Sequence, residues 1–99
     1  MSEIAKLTEE QIHEALQTLH GWSVKEGKLH RVFYFYDFVG AWGFMSQVAL
    51  LAERLDHHPE WYNVYGTVRI DLFTQDAGGI TALDTFLAER INGITGISH

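Results

Sequence analysis

Ile12, Ala15, Leu16 and Leu19 recur at helical spacing and form one apolar stripe. The residues ahead of them, Thr8-Glu9-Glu10-Gln11, have the form of a capping box, with Leu7 and Ile12 spaced as its hydrophobic staple. A first helix is therefore predicted from Glu9, with Gly21 placed to end the element. Two runs then flank the turn signal Glu26-Gly27: Trp22 to Lys25, and Lys28 to Tyr36, where Leu29, Arg31, Phe33 and Phe35 alternate with the residues between them. That pattern predicts a β-hairpin.

Asp37 is a good N-cap for a longer element in which Phe38, Ala41, Trp42, Met45, Val48, Ala49, Ala52 and Leu55 trace a second helical stripe. Val39, Phe44, Leu50 and Leu51 lie off it, so this helix is apolar around much of its circumference and is expected to be buried on more than one side, a subunit interface being the simplest cause. Pro59 disfavours helical geometry at His58 and places the helix end at or just before His57. Glu60 to Tyr65 and Thr67 to Thr74 then read as a second hairpin about Gly66. Asp76 to Gly79 reads as a loop. A last helix is capped by Thr81, turns Leu83, Phe86, Leu87 and Ile91 inward, and stops at Asn92-Gly93. The tail from Ile94 to His99 is expected to be loosely ordered.

The order α-β-β-α-β-β-α predicts an α+β fold, a four-stranded antiparallel sheet with three helices packed on one face, in a single domain over 1–99. Composition narrows what such a domain does. A net charge of −6 with only seven Lys and Arg argues against direct nucleic-acid binding. The absence of cysteine excludes disulfides, thiolate nucleophiles and Cys-ligated metal. No signal pattern opens the chain and no apolar run approaches the roughly 20 residues that cross a bilayer, so a cytoplasmic protein with no membrane contact is expected.

Antiparallel pairing about Gly66 makes facing residue numbers sum to about 132, which sets 57 against 75 and 58 against 74. His57, His58, Thr74 and Gln75 are thus expected to gather at the open end of the second hairpin, beside the Asp76–Gly79 loop. Imidazole has an ordinary pKa of about 6.5, so two adjacent histidines suit general acid and base work, although such a pair is also common as plain surface polarity. Glu53 and Asp56 lie close enough to add oxygen ligands, but no strong metal spacing is present and no metal is expected. Trp61, Tyr62 and Tyr65 offer faces on which a flat heterocycle stacks, or simply pack.

The runs Gly43-Phe44-Met45, Val48-Ala49-Leu50 and Glu53-Arg54-Leu55-Asp56-His57-His58-Pro59-Glu60-Trp61-Tyr62-Asn63-Val64-Tyr65, with the Ala77-Gly78-Gly79-Ile80 loop and Asp84, resemble the pterin-4a-carbinolamine dehydratase family. The resemblance implies dehydration of 4a-hydroxytetrahydropterin to quinonoid dihydropterin in tetrahydropterin recycling. It implies no organic cofactor or metal, and a homodimer or homotetramer, here joined through the second helix (about 38–55). It also implies His57 and His58 as proton-moving residues and Asp56, Phe73, Thr74 and Asp76 as pterin contacts, supported by Glu53, Trp61 and Asp84. Where the family carries a third histidine, this chain has Gln75, an amide that orients a substrate or water but does not exchange protons near neutrality. Loss of a general acid or base lowers a rate by on the order of 10² to 10⁴. The alternative implied is a non-enzymatic pterin-binding or protein-interaction module on the same fold.

Overall fold

The computed structural model describes residues 4–94. Helix α1 (Glu9–Leu16) begins with the capping box complete: the Gln11 N–H donates to Thr8 Oγ1 at 3.1 Å and the Thr8 N–H to Gln11 Oε1 at 2.9 Å. It ends a turn before the apolar stripe does. The N–H groups of Gln17, Thr18 and Leu19 donate three residues back, tightening the chain into a turn that still delivers Leu19 to the core. Strands β1 (Ser23–Lys25) and β2 (Lys28–Tyr34) follow. They are joined by Glu26 and Gly27, both left-handed (φ 52° and 79°), the backbone that suits the twist of a two-residue hairpin.

Asp37 Oδ1 accepts from the Gly40 N–H at 2.8 Å and starts helix α2 (Phe38–Leu55). Its buried face is Ala41, Phe44, Met45, Val48 and Ala52. That face is rotated from the stripe read in the sequence: Phe44 turns inward, while Phe38, Trp42 and Ala49 are exposed. Both choices have helical spacing, and contact with the sheet selects between them. Strands β3 (Glu60–Val64) and β4 (Thr67–Leu72) and helix α3 (Ala82–Asn92) complete the fold. Phe86, expected inward, is 45 % exposed, and Asp84 and Ala88 join Leu87 and Ile91 on the buried face of α3.

The sheet is antiparallel throughout in the order β1-β2-β4-β3. Leu29 and Phe33 of β2 and Val68, Ile70 and Leu72 of β4 face one side and pack with α2, α3 and the partly buried Leu7, Ile12, Ala15 and Leu16 around α1. The opposite side carries His30, Arg69 and Asp71, with His30 Nδ1 2.8 Å from Asp71 Oδ1, and no described element covers it. Beside the core, the buried Arg31 donates to His20 O and to Asn92 Oδ1, each at 2.7 Å, and Trp22 Nε1 donates to the same Asn92 oxygen at 2.8 Å. Burial lowers the pKa of Arg31 from the ordinary guanidinium value. Asn92 is the last residue of α3, so the cation sits at the negative end of that helix.

The β3–β4 register differs by one from the sequence reading. Glu60 faces Asp71 and Val64 faces Thr67, so paired numbers sum to 131 rather than 132. The cause is a two-residue connection, Tyr65-Gly66, in which Tyr65 adopts φ 50°. Gly66 is required there for room. A Cβ on it would lie 2.4 Å from the backbone oxygen of Phe35, and the Phe35 N–H donates to Gly66 O at 2.7 Å.

Candidate functional site

The end of α2 aims the two histidines. The His57 N–H reaches back to Ala52 O at 3.0 Å and the Asp56 N–H to Glu53 O at 3.1 Å, a Schellman closure with Asp56 (φ 52°, ψ 43°) in the left-handed place usually given to glycine. The chain therefore turns sharply at Asp56, and Pro59 holds His58 off the helix. His57 goes inward, 9 % exposed, and His58 outward, its side chain 57 % exposed.

Inside, His57 Nε2 lies 2.5 Å from Asp84 Oδ1. Asp84 is fully buried on the first turn of α3, and its other oxygen accepts from Thr74 Oγ1 at 2.7 Å and from the Thr81 N–H at 2.9 Å. The last of these bonds is half of a second capping box, in which Thr81 Oγ1 accepts from the Leu83 N–H at 3.2 Å. Thr74 Oγ1 and Thr81 Oγ1 are 2.7 Å apart. One carboxylate thus starts a helix and grips an imidazole. Thr74 is itself held by a bridge to Gly79, its N–H donating to Gly79 O at 3.0 Å.

Outside, His58 Nε2 meets Glu53 Oε1 at 2.9 Å, so each histidine has a carboxylate partner, one buried and one exposed. Gln75 and Asp76 are exposed on a single 3₁₀ turn, Gln75–Ala77, where the sequence suggested only a loop. The two stretches meet through Asp84, which bonds His57 on one oxygen and Thr74 on the other. The ladder ends at Glu60 and Asp71, and among the described residues no hydrogen bond joins His58 or Gln75 to the opposite stretch. Phe73 is half-buried with the Lys28 ammonium 5.6 Å from its ring centroid, and Trp61 is half-buried against the core.

Sequence reasoning missed Thr81 as a site-building residue. The available signal was the Thr-x-x-Asp spacing of Thr81 and Asp84, read only as a helix start. Hollows among the described residues include three away from His57 and His58. One of about 680 Å³ lies between α2 and α3, lined in part by Leu50, Leu51, Arg54 and Ile94. Another, of about 270 Å³, lies on the open sheet face around Lys28, His30 and Asp71, and a third, of about 250 Å³, between the α1 end and α3 near Leu19 and Phe86. None of the three is lined by His57, His58 or Gln75. Among the described residues, no three His, Asp or Glu side chains are grouped to hold a metal, and no helix is long and apolar enough to cross a membrane.

Residues 5–94 match the family described as pterin 4 alpha carbinolamine dehydratase. A Rhodopseudomonas palustris protein provisionally named a pterin-4-alpha-carbinolamine dehydratase is 54% identical over 93 residues, which cover 92% of each chain. A Solibacter usitatus protein with the same provisional name is 52% identical over 89 residues, 90% of this chain and 94% of that one. Among solved structures, a Brucella melitensis protein described as a transcriptional coactivator/pterin dehydratase superposes with a TM-score of 0.87 at 47% identity, covering 92% of this chain and 99% of its own.

Proposed function

The chain belongs to the pterin 4 alpha carbinolamine dehydratase family, and on that premise we propose that it converts 4a-hydroxytetrahydropterin to quinonoid dihydropterin, returning the pterin for reuse. The reaction breaks the C4a–O bond. A proton goes to the departing hydroxyl, which leaves as water, and another leaves the neighbouring ring nitrogen. Two proton-moving groups near the ring suffice.

The observation that carries this reading is the pairing of two adjacent histidines with two carboxylates of opposite exposure, His57 with Asp84 and His58 with Glu53. A buried partner holds one imidazole in a fixed pose. An exposed partner leaves the other free to trade protons with water. In this proposal His57 and His58 share the two transfers, Gln75 holds the substrate or a water by hydrogen bonds, and Asp56, Phe73 and Asp76 line the pterin. Thr74, Glu53, Trp61 and Asp84 shape the site from behind.

Following quinonoid dihydropterin formation in wild type, His57→Ala and Gln75→His tests it. The expected result is turnover above buffer in wild type, a loss on the order of 10² to 10⁴ in His57→Ala, and equal or higher turnover in Gln75→His. Equal rates in all three, no faster than buffer, remove catalysis from this site. The exposed amide of Gln75 favours a second reading, a pterin-binding or protein-interaction module without turnover. Pterin titration of a catalytically silent wild type supports that reading if binding is tight, and a pure assembly role if binding is absent.

The same proposal makes the protein a homodimer or homotetramer through α2. Val39 (76 % exposed), Leu50 (73 %), Trp42 (55 %) and Phe38 (45 %) leave apolar side chains on its outer side. Sedimentation of Val39→Asp beside wild type checks it, and an unchanged mass removes this face from the assembly.

A further inference from the structure

We propose that Asp84 is a positioning residue that fixes His57 with its ring hydrogen on Nε2, making Nδ1 the nitrogen that accepts the substrate's proton, an inference that rests on the dehydratase reading. Each hydroxyl has one to give, and an ionised carboxylate has none. Thr74 Oγ1 donates its hydrogen to Asp84 Oδ2, so the 2.7 Å contact between the two threonine oxygens must be filled by the hydrogen of Thr81. Thr81 Oγ1 in turn accepts from the Leu83 N–H.

The chain of bonds therefore runs one way, from the backbone of α3 through Thr81 and Thr74 into Asp84 Oδ2, which also accepts from the Thr81 N–H. Both donors on that oxygen are locked by the helix start. Oδ1 is left to accept, and only a hydrogen on His57 Nε2 can meet it. No described residue bonds to His57 Nδ1. The His57 side chain keeps 10 % of its surface exposed, and with Nε2 turned to the buried Asp84, Nδ1 is the ring nitrogen on the open side. His57 then presents a lone pair outward, which is the form of a base. His58, exposed and paired to Glu53, is left to supply the proton that the departing hydroxyl takes.

The same account predicts what an amide does in place of Asp84. Its oxygen must take the position facing the Thr81 N–H and the Thr74 hydroxyl, because its NH₂ turned there would oppose a backbone donor. The NH₂ then faces His57 and donates to Nε2, which drives the ring hydrogen to Nδ1 and removes the outward lone pair.

Long-range ¹H–¹⁵N spectra of uniformly labelled full-length protein at alkaline pH, with the His57 signals assigned through a His57→Gln variant, read this directly. Wild type is expected to show Nε2 protonated and Nδ1 bare, and Asp84→Asn the reverse. In the activity assay, kcat of Asp84→Asn is expected to fall by on the order of 10² to 10⁴. A wild-type His57 with its hydrogen on Nδ1, or a folded Asp84→Asn with an unchanged pattern, overturns the proposal. The wild-type spectrum decides even where the variant does not fold. Wild type without turnover but with the expected hydrogen positions keeps the positioning role and removes the dehydratase reading; turnover with the hydrogen on Nδ1 does the opposite.

Discussion

Replacing Gly66 with alanine adds one methyl group where the backbone leaves no room. The new Cβ would stand 2.4 Å from Phe35 O and 3.2 Å from Phe35 C, and neither can move without shifting the chain that enters α2. Gly66 is not among the residues with positive φ, so the penalty is steric rather than conformational. Overpacking of this kind costs about 1–3 kcal/mol. The Phe35 N–H to Gly66 O bond, 2.7 Å long, is strained or lost with it, for about 1 kcal/mol more. The sum, about 2–4 kcal/mol, is a large share of the roughly 5–15 kcal/mol that holds a domain of this size together. For a chain of about 100 residues it corresponds to a fall in Tm on the order of 10–30 °C.

Urea and thermal unfolding followed by far-UV circular dichroism measures the change. Gly79→Ala is the control, since a Cβ there would also come within 2.4 Å of an atom, but that atom is Cδ of the flexible, exposed Lys6. Its expected loss is below about 1 kcal/mol. If Gly66→Ala unfolds at the same urea concentration as wild type, or no earlier than Gly79→Ala, the close approach at this turn does not set the stability and the reasoning fails.

Two further outcomes follow from backbone and charge. Asp56→Gly relieves a left-handed conformation that no side-chain hydrogen bond of Asp56 supports among the described residues, and is expected to stabilise the chain by a few tenths to about 1 kcal/mol in urea unfolding; a loss of stability would show that the carboxylate makes a contact of its own. Lys28 has its pKa raised above 10.5, first by its 2.6 Å hydrogen bond to Glu60. A raised folded-state value contributes stability that is present below 10.5 and lost as pH climbs through the higher folded value. Wild type should therefore lose stability more steeply above pH 10.5 than Lys28→Met, with parallel curves near neutrality, and parallel curves throughout would contradict the pairing.

Much of the fold is legible in the sequence, because its signals are local. Thr8 and Gln11, Asp37, and Thr81 with Asp84 mark helix starts through bonds spanning three residues, and Pro59 fixes where α2 ends. What was not legible depended on the partner an element meets. Spacing alone puts Trp42 on the main stripe of α2 and Phe44 off it, and only the packing of Phe44 against Phe33 and Phe35 selects the face that meets the sheet. The one-residue register error has the same origin. Tyr65 is an unusual residue for φ 50°, so the sequence centres the turn on Gly66 alone and shifts the facing pairs by one. Of the four residues the sequence groups at the hairpin's end, His57 and Thr74 are joined, through the buried Asp84 that the resemblance implies only as a support.

That shared carboxylate also bears on how such a protein changes over generations. Asp84 starts a helix and holds His57 with the same carboxylate, so its replacement disturbs folding and the pose of His57 together. Gln75 stands on the surface, where replacement is nearly free of consequence for folding. The exposed 3₁₀ turn can thus vary without disturbing the fold, whereas the buried end of α3 cannot.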